Sequence, residues 1–208
     1  MSAADPRAAK VYADPSVYAL IAANLLAVAI ARDAGLRLID MLAIYWVQSI
    51  IIGISHAVRI TSLRRFSRGR LNMPEDLGPS LKWVVAGMFL IHYGMIQVFF
   101  GIYVDITAGY YRVEHLRAAS AYWLCALLFL VNHMYSLYYN MRLDRLGQPS
   151  LHTLMFLPYA RVLPFQVTGF LFGMAPFAPD TAAWILFAVS KTVADVAMHV
   201  VEHRVLRK

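Results

Sequence analysis

Charge is scarce in this 208-residue chain: Asp, Glu, Lys and Arg make up 15% of it, where a soluble domain carries about a quarter. Cysteine is scarcer still. Cys125 stands alone, so no intramolecular disulfide can form and thiolate-rich metal sites are excluded. Inside an apolar run it reads as a small buried apolar residue. Acidic residues number 12 against 19 Lys and Arg, for a net charge of +7. Such a balance can signal nucleic acid. Here the basic residues sit mostly in loops between apolar runs, the pattern that orients membrane proteins, so no nucleic-acid partner is expected. The chain also lacks an internal repeat and any linker long enough to separate two domains. No small-residue cleavage motif follows the first apolar run, so no cleaved signal peptide is expected.

What is present is apolar and comes in blocks. Hydrophobic residues form 60% of the chain, in runs of about 20 that match the thickness of a bilayer. The fold class that follows is all-α: a polytopic membrane protein, a bundle of about six transmembrane helices. A single integral membrane domain is expected over 1–208, with spans at about 16–31, 38–60, 81–106, 118–139, 154–174 and 182–203. Breaks fall at Arg32-Asp33-Ala34-Gly35, in the polar and basic stretch from Thr61 to Ser80, at Gly147-Gln148-Pro149, and at Pro176 and Pro179. The loops on the N-terminal side carry most of the cationic residues, among them Arg64, Arg65, Arg68, Arg70, Arg142 and Arg145. The other side carries Arg32, Arg37, Arg112 and Arg117. Both termini are therefore expected in the cytoplasm.

The last span carries the most chemistry. Lys191, Asp195, His199 and Glu202 recur at spacings of four, four and three, which makes one stripe on a helix. Ionisable groups inside a membrane are costly and need partners or a function. Counting about 1.5 Å per residue from the cytoplasmic ends puts His92, Gln166 and Lys191 near the midplane. Asp195, Arg161 and His133 come out deeper toward the cytoplasm, and His199 and His56 deeper again. The first span is short, offers only Asn24, and is expected to pack outside the bundle.

Three readings of this set stand open. His92, His133, Asp195 and His199 supply imidazole nitrogen and carboxylate oxygen, which suit one transition-metal ion: zinc, iron or copper. Asp195 and His199, four apart, could share it, with Glu202 as further ligand or general base. In that case the protein would be a metal-dependent intramembrane hydrolase, with Asp195, Glu202 and Lys191 as catalytic groups and Arg161, Gln166 and Asn132 in support. Alternatively Lys191, Asp195, His199 and Glu202 relay protons along the helix, in a proton or ion transporter. In the third reading Lys191 pairs with Asp195 and the histidines bond neighbouring helices as polar glue. Haem held between His92 and His133 is disfavoured, because their depths differ by roughly 7 Å. Gly87, Gly94 and Gly101, seven apart, are more simply explained by close helix packing than by a cofactor cleft. His56, close to Arg59, reads as interfacial.

His92-Tyr93-Gly94, Asn132-His133, Pro158-Tyr159-x-Arg161 and Lys191-Thr-x-x-Asp195-x-x-x-His199 together resemble an uncharacterised bacterial family of multi-pass membrane proteins, a domain of unknown function. The likeness runs from about the third span to the C-terminus. It implies the membrane fold and the choice of polar positions, and brings no activity with it. Members of that family carry further histidines where this chain has Phe100 and Gln166, which implies a reduced ligand set of His92, His133, Asp195 and His199 here. The reading that results is an integral inner-membrane protein with a buried His/Asp site toward the cytoplasmic leaflet. The lipid bilayer is its first partner. A non-catalytic accessory subunit of a larger membrane complex is the alternative, with membrane-protein partners or a second copy of the chain as neighbours.

Overall fold

Gly35 makes the first reversal of the chain. It takes φ of +65°, a left-handed conformation that glycine adopts without steric cost. The N–H of Leu36 returns to the carbonyl of Ala31 at 2.9 Å, and that of Gly35 to Arg32 at 3.0 Å. These bonds satisfy carbonyls that the end of the helix would otherwise leave open. The next helix begins at once. The Asp40 carboxylate accepts the N–H of Arg37 at 2.9 Å, covering one of the donors exposed at a helix N-terminus.

The computed structural model describes residues 15–110, 119–173 and 180–206; some side chains inside those ranges, among them Pro164, His199, Glu202 and His203, lie outside the description. Six α-helices are described: α1 Pro15–Asp33, α2 Leu38–Thr61, α3 Leu81–Tyr110, α4 Ala119–Asp144, α5 Leu151–Gly173 and α6 Asp180–Leu206. A short 3₁₀ turn, Glu75–Ser80, leads into α3. No named strand occurs among the described residues. The all-α fold of six helices expected from hydropathy is the one observed. Four stretches are long and apolar enough to cross a membrane: Leu38–Thr61, Asp76–Ala108, Ala119–Asp144 and Leu151–Leu171.

The bundle is built around α2, which packs against α3, α4, α5 and α6. The others close an arc about it, α3 on α5, α5 on α6, α6 on α1 and α1 on α4. Along α4 the buried residues Ala121, Cys125, Phe129, His133 and Asn140 form a single stripe. Its opposite face shows Trp123, Leu127, Leu130 and Met134 to the outside, and α3 similarly shows Trp83, Ile91, Phe99 and Ile106. Apolar surface on this scale is untenable in water and ordinary in lipid. At the centre Tyr45 of α2 touches three phenylalanines, with ring centroids 5.6 Å from Phe129, 6.2 Å from Phe165 and 5.7 Å from Phe187. That aromatic layer fixes the register of four helices. Cys125 is buried beside α1, as expected.

Two features at the other end of α2 were not visible in the pattern of residues. The expected polar loop after α2 is packed: Phe66, Leu71, Met73 and Leu77 cover a second apolar cluster formed by Ile60, Leu63, Leu81, Val85, Leu151 and Leu154. It is pinned by backbone bonds from Ser67 to Pro149 and from Leu151 to Ser67, at 3.0 and 2.9 Å. Gly69 beside it has φ of +64°, and a β-carbon there would strike Ser150 and His152. Helix α4 also runs on to Asp144, five residues past the expected end. There Arg59 Nε and Nη2 donate to the two carboxylate oxygens of Asp144 at 2.7 and 3.0 Å. A bidentate pair of this kind is among the stronger polar contacts.

Asp144→Ala removes the two charge-assisted hydrogen bonds from Arg59 and should lower stability by about 2 kcal/mol. Thermal unfolding in detergent reads this directly. Asp76→Ala, at an exposed position, should leave the midpoint unchanged.

Candidate functional site

One helical turn beyond the aromatic layer the bundle turns polar. On α6 the step from Phe187 leads to Lys191 and then Asp195; on α4 Phe129 is followed by His133; on α5 Phe165 is preceded by Arg161; on α2 Tyr45 is followed by Gln48 and Ser49. All of these side chains are buried. The spacing of three or four residues does this, since it carries each helix around by one turn and returns to the same face.

The ion pair at the centre of the layer joins Lys191 to Oδ1 of Asp195, and both side chains are 1% exposed. The second carboxylate oxygen, Oδ2, accepts Nδ2 of Asn24 at 3.2 Å. Asn24 is fully buried and also donates to the carbonyl of Leu20 at 3.1 Å. The expectation that α1 packs outside is thereby corrected. A short apolar helix with a single asparagine is drawn in because that asparagine completes the hydrogen bonding of Asp195. Above the pair, the ammonium of Lys191 lies 5.4 Å from the ring centroid of Tyr45 and 5.3 Å from that of Phe165, so aromatic faces replace part of its lost hydration.

Around this pair several polar atoms are buried without a hydrogen-bond partner among the described residues: Oδ1 of Asn24, the hydroxyl of Tyr45, both side-chain polar atoms of Gln48 and Nε2 of His133. His133 lies within Coulombic range of Asp195, Lys191, Arg161 and His56. Beside Lys191 a cavity of about 130 Å³ is lined by Phe165, Thr168, Phe187, Ser190 and Ala194. Proteins seldom bury so many unmatched donors and acceptors in one place, and water or an ion is the usual reason.

The other candidates fall elsewhere or outside the description. His92 is exposed on α3, with Nδ1 2.9 Å from the hydroxyl of Tyr159. It belongs to a separate aromatic cluster with Phe89, Tyr93 and Tyr159. Asn132 is half-buried on α4. Gln166 is buried and donates to Gln97 at 3.0 Å. His199 and Glu202 continue the α6 stripe by register, but their side chains lie outside the described part. Among the described residues no three His, Cys, Asp or Glu side chains gather as a metal-ligand group. Of the glycines spaced by seven, only Gly101 is in close contact, against the Trp46 ring; Gly87 and Gly94 face open space. Tyr45, Gln48 and Gln97 are the site residues that sequence reasoning missed. Tyr45, Gln48 and His56, three and eight apart, lie near one face of α2 and were the available signal.

The chain belongs to a family of unknown function, DUF6498, whose match covers residues 6–208 and so includes the first two helices as well as the later ones. No curated protein and no solved structure matches it.

Removing one partner of the central pair should be far worse than removing both. Lys191→Met or Asp195→Leu alone should cost about 3–5 kcal/mol, because the other charge stays buried. The double replacement should regain most of that loss. A double-mutant cycle by denaturant unfolding in detergent measures the coupling.

Proposed function

We propose that this member of the family is an integral inner-membrane protein of a bacterial cell that moves protons through a hydrated polar layer centred on Lys191 and Asp195. The observation that carries this reading is the set of buried polar atoms without a partner among the described residues, in the same layer as a buried ion pair. Water molecules bridging Tyr45, Gln48, Asn24 and His133 would satisfy those atoms and form a path for protons. The pair supplies the step such a path needs. A proton reaching Asp195 neutralises the carboxylate and releases Lys191, which can then turn toward Thr168 and Ser190 in the adjoining cavity. Loss of the proton restores the pair. Both termini lie in the cytoplasm, by the excess of Lys and Arg in the loops on that side. His199 and Glu202, continuing the stripe toward that face, extend the route.

The test is proton flux in liposomes loaded with a pH-sensitive dye and given a pH gradient. Wild-type protein should collapse the gradient faster than empty liposomes, and Asp195→Asn should abolish the difference. Decay at the rate of empty liposomes for the wild type overturns the proposal.

A metal-centred reading has one observation in its favour, the buried Nε2 of His133. With Asp195 and His199 it would offer two imidazoles and a carboxylate for one zinc, iron or copper ion. Against it, both oxygens of Asp195 are already engaged, by Lys191 and Asn24. Elemental mass spectrometry on detergent-purified protein separates the two. The proton-path reading expects no stoichiometric metal, whereas about one ion per chain, lost on Asp195→Ala with His199→Ala, would establish the metal centre instead.

A further inference from the structure

The arc of helices around α2 does not close. Among the described residues α3 and α4 both pack on α2 but not along one another, and the space between them is a groove of about 530 Å³. That volume lies within the range of about 300–1,000 Å³ that small-molecule sites occupy. The groove adjoins the polar layer along α2 but is lined differently. Its floor is Ala43 and Trp46 of α2, and its α3 wall is Val98, Gly101 and Ile102. Gly101 makes the floor possible: a β-carbon there would come within 2.6 Å of the Trp46 indole. Trp46 is held in place by donating Nε1 to the carbonyl of Gln97 at 2.9 Å.

One end of the groove is polar. Asp40, Asp105 and Tyr122 line it there, at the end of the bundle that carries the turn between α1 and α2. Asp40 is already satisfied, by the N–H of Arg37 and the hydroxyl of Tyr122. Asp105 is exposed and makes no hydrogen bond or ion pair with the described residues. From this end the groove descends along α2 from Ile39 to Trp46, roughly 10 Å into the apolar part of the bundle.

We propose that this groove holds one acyl chain of a phospholipid whose headgroup carries a primary ammonium, with the ammonium seated on Asp105. The shape is that of an amphiphile: apolar along its length, with the carboxylates of Asp40 and Asp105 in its lining at one end. The two carboxylates disfavour an anionic headgroup. A primary ammonium brings N–H donors that form charge-assisted hydrogen bonds to a carboxylate, and a quaternary ammonium has none. The occupant is therefore a phosphatidylethanolamine of the leaflet at the α1–α2 turn.

The experiment is native mass spectrometry of the full chain released from nanodiscs made of equal parts phosphatidylethanolamine and phosphatidylglycerol. Wild-type protein should retain one phosphatidylethanolamine per chain, about tenfold over phosphatidylglycerol. Asp105→Asn, at an exposed position, should keep a bound lipid and lose the preference. Ala43→Phe should fill the floor and abolish retention of both. Equal retention of the two lipids by the wild type, or a preference unchanged by Asp105→Asn, overturns the proposal. Should Ala43→Phe fail to fold, the Asp105→Asn comparison decides alone.

Discussion

An ammonium and a carboxylate taken out of water lose several kcal/mol of hydration each, after the protein has relaxed around them. Lys191 and Asp195 are both almost wholly buried, and they meet that loss with each other first. Much of the surrounding arrangement is what the remaining valences of this pair require. Oδ2 of Asp195 needs a donor, and α1 is recruited to bring Asn24. The ammonium needs soft, polarisable neighbours, and the Tyr45 and Phe165 rings provide them. Tyr45 can stand there only because Phe129 and Phe187 brace it from α4 and α6. Five of the six helices are thus committed to one charge pair.

A pair so placed is a poor way to gain stability. Apolar side chains of the same size would hold these helices together at least as well. The atoms left unmatched around it strengthen the point, since Gln48 buries both a donor and an acceptor with no protein partner among the described residues. A core selected only to hold helices together has no need of Gln48. The combination of a satisfied carboxylate and unsatisfied neighbours suits a site that exchanges protons with bound water. It suits a rigid metal centre less well, because the best carboxylate ligand is already occupied.

The helices were legible because their signal is summed over about 20 residues, and no single contact can reverse it. The Lys191–Asp195 pair was legible for a local reason: a spacing of four puts both groups on one face whatever surrounds them. The rest depended on tertiary contacts. Asn24 looks like an isolated polar residue on a generic helix until Asp195, 171 positions away, is seen beside it. Arg59 reads as a residue at the membrane surface, and its bidentate contact with Asp144, 85 positions away, is visible only in the fold. By residue count His92 comes out at nearly the same depth as Lys191, yet it is exposed on α3 and bonds the hydroxyl of Tyr159. Depth can be counted along a sequence, whereas direction around the helix axis depends on which neighbours the helix meets.

That distinction also explains how the two halves of the molecule differ. Toward the loop after α2, the helices converge: Arg59 clamps α4, Lys82 donates to the carbonyl of Leu63, and the Ser67–Leu151 pairing fastens the start of α5. Toward the α1–α2 turn, α3 and α4 separate among the described residues and leave the groove between them. Tyr45 links the two regions, because Ala43 and Trp46 beside it on α2 floor the groove while its own ring carries Lys191. The groove and the buried charge pair therefore share one turn of α2.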